Sequence, residues 1–246
     1  MTVQVSVITV SFNAVKTIRK TLESIKNIKN EDVQFIIIDG GSTDGTQDVI
    51  REYSSIVDIM ISEPDKGIYD AMNKGLSIAT GRFCLFIGAD DLLIKDGFID
   101  AVSFLKKSSD HEVIYGNVIV SDNQIEKVTS KWKILRENIS HQAIFYPRAI
   151  YSVYKYNLKY RICADHEYNI RLIGRNVKFR HIPCAVTIFG IDGISSSQID
   201  RDFQKDYIDI VKKNSSSVNF YIIYIGKLLK RVIVNGFFDL TSNRNR

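Results

Sequence analysis

Residues 34–46 read QFIIIDGGSTDGT, an apolar run that ends in an aspartate and is followed by a glycine-rich turn. The run of Ile and Phe is typical of a strand that is buried on both faces. The next residues, TQDVIREY at 46–53, predict a helix that Thr43 or Asp44 can cap. The stretch therefore predicts a strand–turn–helix unit with Asp39 at the carboxyl end of the strand.

Similar units lie on both sides of this stretch. Apolar strands are predicted at residues 5–10, 57–62 and 83–88, and helices at 16–27 and 68–80. Strands that alternate with helices predict an α/β fold, with a mostly parallel central sheet flanked by helices. Ligands bind such sheets at the carboxyl ends of the strands, and two of these ends carry acids, Asp39 and the pair Asp90 and Asp91.

The pattern changes after residue 110. Residues 111–120 and 123–128 predict a hairpin with its turn at Ser121–Asn123, and ADHEYNIRLIG (164–174) predicts a helix. VKFRHI (177–182) and CAVTIF (184–189) predict two strands, and 198–213 a helix before a serine hinge at 215–217. We predict one domain over residues 1–200, in two halves (1–110 and 111–200), and a C-terminal amphipathic helical tail at 201–246.

The charge distribution narrows the function classes. The chain has a net charge of +5, and the tail holds nine basic and four acidic residues, so the body is neutral. A nucleic-acid-binding domain usually carries its basic patch on the body, which argues against nucleic acid as a partner. Three widely spaced cysteines without a CxxC motif favour a reduced, cytoplasmic compartment and no zinc site.

The acids at the strand ends have more than one use. They can bind a cation, accept hydrogen bonds from a ribose or a base, or cap the following helix. Adjacent carboxylates at a buried strand end repel each other, and a divalent cation relieves that repulsion. Mg²⁺ and Mn²⁺ prefer oxygen ligands, and protein sites for Mg²⁺ often combine one or two carboxylates with substrate phosphates. We therefore predict that Asp90 and Asp91 bind Mn²⁺ or Mg²⁺.

Three segments together resemble glycosyltransferase family 2, above all its members that assemble bacterial exopolysaccharide, capsule and O-antigen. They are SVITVSFNAVKTIRKTLESI (6–25), IIIDGGSTDGTQDVI (36–50) and SEPDKGIYDAMNKGLSIATGRFCLFIGADD (62–91). The resemblance covers residues 3–195 and implies a GT-A fold. It also implies inverting, metal-dependent transfer of a sugar from a nucleotide-diphosphate donor, a UDP-sugar, to a saccharide acceptor. Residues 1–110 would bind the nucleotide and 111–200 the acceptor.

The resemblance assigns roles to individual residues around the donor. Asp39 would contact the uracil or ribose, Lys66 a phosphate, and Asp90 the metal with Asp91 in support. Gly88 stands where relatives carry the first acid of the DXD element, so a ribose contact from that position is lost. The predicted nucleotide-sugar-binding residues are Thr9, Ser11, Asn13, Asp39, Asp65, Lys66, Asp70, Asn73 and Asp90, with Asp70 and Asn73 holding either their helix or the sugar.

Asp165 matches the family's catalytic base, which deprotonates the acceptor hydroxyl. The alternative is that Asp165 only caps the helix that it opens, and Glu167 is the fallback base. The segment HQAIFYPRAIY (141–151) resembles the family's acceptor side, so His141 would line the acceptor pocket, and the polar His166 is a further candidate. The loop GIDGISSS (190–197) resembles a family loop near the diphosphate.

The tail suggests a membrane surface as partner. Residues 220–238 alternate apolar clusters with Lys227, Lys230 and Arg231, which is typical of a helix in the membrane interface. The alternative is a helix that packs on protein. We expect a cytoplasmic enzyme, peripheral at the inner face of the membrane, with a lipid-linked saccharide acceptor. Alternatives are transfer to a polyprenyl phosphate and a non-catalytic nucleotide-sugar-binding protein. A Rossmann oxidoreductase is excluded because no GxGxxG follows the first strand.

Overall fold

Four parallel strands form the first half of the sheet, in the order β3 (Ile59–Ser62), β2 (Val33–Asp39), β1 (Val5–Ser11) and β4 (Phe83–Gly88). The computed structural model describes residues 3–120, 125–126, 131–190 and 199–226. Strand β1 lies between β2 and β4, and all seven of its residues are buried, as its β-branched sequence predicts. This half of the sheet confirms the predicted parallel arrangement.

Helices cover both faces of these strands. The helices are α1 (Ile18–Lys26), α2 (Thr46–Glu52), α3 (Ile68–Ile78) and α4 (Lys95–Leu105). Apolar residues of α1, α2 and α4 belong to one core cluster, and those of α3 belong to the cluster on the opposite face. Gly45 caps α2, and Asp44 supports the cap because its Oδ1 accepts the backbone N–H of Thr46 at 3.0 Å.

The second half of the sheet is mixed. From β4 the order continues through β8 (Ile144–Pro147), β6 (Glu112–Ile119), β9 (Lys178–Ile188) and β5 (Leu92–Leu93), and β7 (Ile125–Glu126) pairs with β6. Among the described strands of this half, only β6 and β9 pair in parallel. The β6–β7 pair confirms the predicted hairpin, whose turn lies outside the described residues. A mostly parallel sheet therefore describes the first half of the chain better than the second.

Strand β9 corrects one prediction. The sequence predicted two strands, at 177–182 and 184–189, but a single strand runs from Lys178 to Ile188 through Pro183. Its pairing with β6 shifts register, because Tyr115 faces His181 whereas Asn117 faces Ala185. Two extra residues of β9 are thus accommodated at an irregularity around Pro183, which has no N–H to donate.

The remaining helices lie against the α3 face of the sheet. They are α5 (Lys131–Arg136), α6 (Arg148–Tyr151), α7 (Ala164–Gly174) and α8 (Arg201–Asn214). Phe203 and Val211 of α8 are buried in the core cluster of the body, although the sequence placed α8 in the tail. Ser215 is extended, residues 217–226 are helical again, and residues 227–246 lie outside the described part. No helix in the described residues is long and apolar enough to span a bilayer.

Candidate active site

The carboxyl edge of the parallel strands gathers most of the predicted donor residues. Ser11 of β1 pairs in register with Asp39 of β2, which pairs with Ser62 of β3. On the other side Val10 pairs with Gly88, and Asp90 follows two residues later. Since neighbouring strands lie about 4.8 Å apart, the ends of β2 and β4 are separated by roughly 10 Å. Asp39 and Asp90 therefore lie on one edge.

Asp39 organises the end of its strand. It is fully buried, and its carboxylate accepts the hydroxyls of Ser11 (3.1 Å), Ser62 (2.7 Å) and Ser42 and the backbone N–H groups of Gly41 (3.2 Å) and Ser42 (2.9 Å). Burial raises the pKa of Asp39, but the bonds from Ser42, Ser62 and Ser11 outweigh it, so the pKa lies below its usual value. The charged Asp39 carboxylate thus holds together the ends of β1, β2 and β3 through its hydrogen bonds. Its predicted contact with the nucleotide stays a prediction.

Asn13 and Thr9 have different surroundings. Asn13 has a positive φ of 49°, its N–H donates to Ser42 Oγ (2.8 Å), and its Oδ1 accepts the N–H of Thr43 (3.1 Å). It therefore fastens the loop after β1 to the loop after β2. Thr9 lies two residues before the strand end and is fully buried, and its hydroxyl has no partner among the described residues.

Phe12, Gly40 and Asp65 lie close together beside Asp39. A Cβ on Gly40 would lie 2.6 Å from Asp65 Oδ2 and 3.2 Å from the Phe12 ring, so the backbone at Gly40 packs closely against these two side chains. Phe12 is 62% exposed, which is unusual for a large aromatic side chain next to a buried strand. The predicted donor residue Asp65 is thereby brought to the Asp39 edge together with an exposed aromatic face.

The residues predicted at the start of α3 separate into two groups. Asp70 Oδ2 accepts the backbone N–H of Lys66 (3.0 Å), and the Lys66 side chain is exposed. Asn73 instead forms two hydrogen bonds with the backbone of Tyr156, from its Nδ2 to the carbonyl (3.0 Å) and from the Tyr156 N–H to its Oδ1 (2.9 Å). Of the two roles predicted for Asn73, the structure gives it a direct part in holding α3.

The acids after β4 differ in their bonding. Asp91 is 1% exposed; its Oδ2 accepts the N–H of Gly88 (2.8 Å) and its Oδ1 that of Gly190 (2.9 Å). A Cβ on Gly88 would lie 2.8 Å from Asp91 Oδ2, so the glycine that replaces the first DXD acid makes room for this carboxylate. Asp91 therefore has a structural role, since each of its two oxygens accepts a backbone hydrogen bond.

Asp90 remains as the acid for a cation. The Asp90 side chain is partly exposed. A Cβ on Gly190 would lie 2.6 Å from Asp90 Oδ2, so Gly190, the first residue of the loop after β9, packs closely against Asp90. The rest of that loop, residues 191–198, lies outside the described part. Among the described residues no three His, Cys, Asp or Glu side chains form a metal cluster. The residues present fit a site in which one protein carboxylate and the donor's phosphates share the cation.

Asp165 is the polar centre of the second half. Asp165 is the second residue of α7, and the N-cap residue is Cys163, so Asp165 is not the cap that the alternative prediction proposed. Its Oδ1 accepts the N–H of His166 (2.8 Å) and lies 2.9 Å from the hydroxyl of Tyr69, and its Oδ2 accepts Asn138 Nδ2 (2.7 Å). Burial raises the pKa of Asp165, but His141, Asn138 and Tyr69 outweigh it and lower the pKa below its usual value.

His141 connects the two halves of the site. Its Nδ1 lies 3.2 Å from Asp165 Oδ2, and since a carboxylate only accepts, Nδ1 carries the hydrogen. Burial lowers the pKa of His141, but Asp165 and then the charges of Asp91 and Asp90 outweigh it, so the pKa is raised above its usual value. His141 therefore lies within electrostatic range of both the donor-side acids and Asp165.

Comparison with known proteins identifies the family. The sequence profile described as "Glycosyl transferase family 2" matches residues 6–191. The chain belongs to glycosyltransferase family 2. It is also 32% identical over 217 residues to the "PGL/p-HBAD biosynthesis glycosyltransferase" of Mycobacterium bovis, covering 81% of this glycosyltransferase and 82% of that relative. The predicted family is confirmed.

Solved structures confirm the predicted GT-A fold. Staphylococcus aureus TarS 1–349 in complex with UDP-GlcNAc superposes on the present chain with a TM-score of 0.72 at 18% identity. The superposition covers 94% of the present chain and 73% of the TarS chain. In a crystal structure of a longer TarS chain, the superposed part makes up 45% of the length of TarS. The mannosyltransferase PcManGT of Pyrobaculum calidifontis, in complex with GDP-Man and Mn²⁺, gives a TM-score of 0.62 at 14% identity, covering 97% and 83%. At these identities the likeness is one of fold.

Two contacts of Asp165 were missed from the sequence. Tyr69 lies inside the segment at 62–91, in which only charged and amide residues were predicted to bind the donor, and Asn138 lies in a segment with no periodic pattern. The fallback base Glu167 forms an ion pair with Arg171 along α7, at 3.0 Å. His166 is buried, and its Nε2 donates to the carbonyl of Ile134 (2.9 Å). Glu167 and His166 therefore have structural partners.

Proposed function

We propose that this glycosyltransferase moves one sugar, with inversion, from a UDP-sugar to a hydroxyl of a saccharide acceptor. The single observation that carries the proposal is the buried contact of His141 Nδ1 with Asp165 Oδ2 at 3.2 Å on the acceptor side; the raised pKa of His141, to which Asp91 and Asp90 on the donor side contribute, supports it. A donor and an acceptor bound on these two sides would meet at His141. Such positioning alone removes a large part of a transfer barrier.

The donor side offers a surface for each part of a nucleotide sugar. The exposed Phe12 ring next to Gly40 and Asp65 suits a base and its ribose, and the exposed Lys66 suits a phosphate. Asp90 would hold Mn²⁺ or Mg²⁺ against the diphosphate, and the ion would stabilise the charge of the leaving nucleoside diphosphate. The UDP-GlcNAc bound to TarS and the Mn²⁺ bound to PcManGT support these two assignments.

The acceptor side needs one proton-accepting unit. The acceptor oxygen attacks the anomeric carbon while the bond to the diphosphate breaks, and the hydroxyl proton leaves to the unit formed by His141 and Asp165. Asp165 lies at the start of α7, where the helix dipole stabilises its negative charge. No covalent intermediate is required, which agrees with inversion in one displacement.

The acceptor is proposed from the relatives. The biosynthetic glycosyltransferase of M. bovis and the resemblance to enzymes of bacterial surface polysaccharides support a saccharide acceptor, lipid-linked, in cell-surface glycan assembly. Transfer to a polyprenyl phosphate is the second candidate within enzymes. A non-catalytic nucleotide-sugar-binding protein is the candidate outside enzymes, since one acid of the DXD element is missing at Gly88.

An exposed stripe on the last described helix supports a membrane surface as partner. Val218, Tyr221, Ile222 and Ile225 are each more than half exposed, and their spacing places them on one face of residues 217–226. Ile223 of the same segment is buried in the core cluster. Lys212 and Lys213 precede the stripe, and Lys227, Lys230 and Arg231 follow it in the sequence. An anionic bilayer matches both the apolar face and these charges, which supports a location at the inner membrane face.

A sugar-nucleotide screen tests the proposed function. The protein is incubated with Mn²⁺ and a panel of UDP-, GDP- and TDP-sugars, and release of the nucleoside diphosphate is measured with and without decyl glycosides as acceptors. We expect metal-dependent release from a UDP-sugar that an acceptor glycoside accelerates. Tight UDP-sugar binding without any release would support the non-catalytic alternative, and faster turnover with a polyprenyl phosphate would support the other enzyme.

A further inference from the structure

Tyr69 joins the first turn of α3 to the start of α7. Its side chain is buried, and its hydroxyl oxygen lies 2.6 Å from the carbonyl oxygen of Ile162 and 2.9 Å from Asp165 Oδ1. The rings of Tyr69 and Tyr156 pack with their centroids 5.2 Å apart. This packing helps to hold the hydroxyl between a carbonyl and a carboxylate, both of which lie more than 90 positions away in the sequence.

These two acceptors compete for one hydrogen. A phenol carries a single hydrogen, which rotates about the C–O bond, and its oxygen can also accept a hydrogen bond. A carbonyl and an ionised carboxylate only accept, so the Tyr69 hydroxyl can donate fully to Ile162 or to Asp165 but not to both. Burial and the charge of Asp165 raise the pKa of Tyr69 well above its usual value, so the hydroxyl keeps its hydrogen.

The choice of acceptor matters because the proposed reaction changes the charge of Asp165. One lone pair of Asp165 Oδ1 accepts the N–H of His166 at 2.8 Å, and the other side of this oxygen faces the Tyr69 hydroxyl. When the hydrogen of Tyr69 is directed to Ile162, a lone pair of Oδ1 is left for a proton. A neutral Asp165 can then donate its own hydrogen to the oxygen of Tyr69.

Resting on the proposed function, we propose that Tyr69 is a positioning residue for the predicted base Asp165, and that its hydroxyl changes partner with the charge of that carboxylate. Before transfer, Tyr69 donates to the charged Oδ1. The acceptor oxygen then bonds to the anomeric carbon, the electron pair of the broken bond leaves with the nucleoside diphosphate, and the hydroxyl proton goes to Asp165. Tyr69 turns its hydrogen to the Ile162 carbonyl and accepts from the neutral acid.

Tyr69→Phe tests this role because it removes the hydroxyl and keeps the ring. With the UDP-sugar that the screen selects, kcat should fall about 10–100-fold, as expected for the loss of one hydrogen bond to a charged group, and the donor KM should stay within about twofold. Wild-type turnover in Tyr69→Phe would overturn the inference, whereas a wild type that transfers no sugar would overturn the proposed function.

Tyr156→Phe is the matched control. It removes a buried hydroxyl from the ring next to Tyr69, and this hydroxyl has no hydrogen-bond partner within the described part of the chain. Turnover in Tyr156→Phe should therefore match the wild type. Urea unfolding of both variants shows whether each is folded. An equal loss of turnover in both would overturn the inference, because ring packing alone would then explain the loss in Tyr69→Phe.

The pH dependence distinguishes hydrogen bonding from packing. Burial raises the pKa of Asp165, and the bonds from His141, Asn138 and Tyr69 lower it below its usual value. Without the Tyr69 hydroxyl the pKa should rise, and a base accepts a proton only when it is ionised. The ratio of kcat/KM in Tyr69→Phe to that in the wild type should therefore fall as the pH is lowered, and a ratio independent of pH would contradict the inference. The other titratable groups that interact with Asp165 or His141 are unchanged in this comparison: Asp90, Asp91, Tyr146, Tyr156, Cys163 and His166.

Carbon NMR of the aspartate carboxyl groups gives a readout that does not depend on activity. In protein with isotopically labelled aspartate, the signal of Asp165 is identified by its loss in Asp165→Asn. This signal should titrate at higher pH in Tyr69→Phe than in the wild type, and at the wild-type pH in Tyr156→Phe. An unchanged titration in folded Tyr69→Phe would contradict the inference whether or not the protein transfers sugar.

Discussion

The backbone N–H of Gly190 donates to Asp91 Oδ1 at 2.9 Å, across 99 positions of sequence. The other oxygen of Asp91 accepts the N–H of Gly88, so one buried carboxylate ties the loop after β9 to the end of β4. The neighbouring Asp90 is left partly exposed beside the same loop. Two adjacent acids that look equivalent in the sequence therefore have separable roles.

Asp91→Ala should destabilise the fold by about 2–4 kcal/mol, since two partly buried N–H groups lose a charged acceptor. Asp90→Ala should keep the free energy of unfolding within about 1 kcal/mol but lose roughly 10²–10³-fold in turnover, the effect of losing a metal ligand. Urea unfolding and nucleotide release measure the two effects. Equal stability losses in both variants would contradict the division of roles.

Asp39→Asn should destabilise the protein by about 2–4 kcal/mol at pH 7, because the amide cannot accept all of the bonds from Ser11, Ser42 and Ser62. The pKa of Asp39 is lowered in the folded state, so its stabilising effect is present above the unfolded pKa and is lost as pH falls through the folded one. The difference from wild type should therefore shrink below about pH 4. Asp100→Asn, at an exposed position of α4, is the control, and a difference that persists at low pH would contradict this account.

The parallel half of the fold could be predicted because its signals are local. The run at 34–39 and its counterparts in β1 and β4 are buried on both faces, so apolar composition alone marks them, and the turn residues mark their ends, whereas β3 is only half-buried. Strand β9 could not be predicted in the same way. Its continuity through Pro183 depends on pairing with β6, which is a long-range contact.

Asn73→Ala should lower the free energy of unfolding by about 1–3 kcal/mol, because the backbone N–H and carbonyl of Tyr156 lose their partners. The matched control is Ser77→Ala, an exposed position on the same helix. The donor KM should stay within about twofold of wild type. A large rise in donor KM at unchanged stability would show instead that Asn73 contacts the sugar.

Part of the candidate site could be predicted because acidic residues at particular places in the sequence indicate particular roles. Charged residues at strand ends led to Asp39 and Asp90, whereas the resemblance to the family led to Asp165 at the start of α7. The sequence could not distinguish Asp90 from Asp91, because the loop after β9 decides which of them is tied to backbone. Nor could it find Asn138, whose contact with Asp165 joins two segments that only the folded chain brings together.

Replacing Tyr221 and Ile222 by glutamate should reduce binding to vesicles that contain phosphatidylglycerol by tenfold or more, since burial of each side chain contributes about 1.5–3 kcal/mol. Vesicle sedimentation of the full chain measures this. Gln204→Glu, exposed on α8, adds a negative charge away from the stripe and should bind as the wild type does. Unchanged binding of the double variant would contradict the membrane proposal, as would a wild type that binds no vesicles but dimerises through the stripe.

The most direct test of the donor site is a crystal structure of the protein with UDP and Mn²⁺. We predict the uracil and ribose beside Phe12, Gly40 and Asp65, and the diphosphate with its cation at Asp90. Asp90→Ala should lose the cation from the same crystals. A UDP molecule bound elsewhere, such as in the cleft of about 360 Å³ that Arg171, Arg175 and Lys213 help to line, with the strand-end edge left empty, would contradict the account.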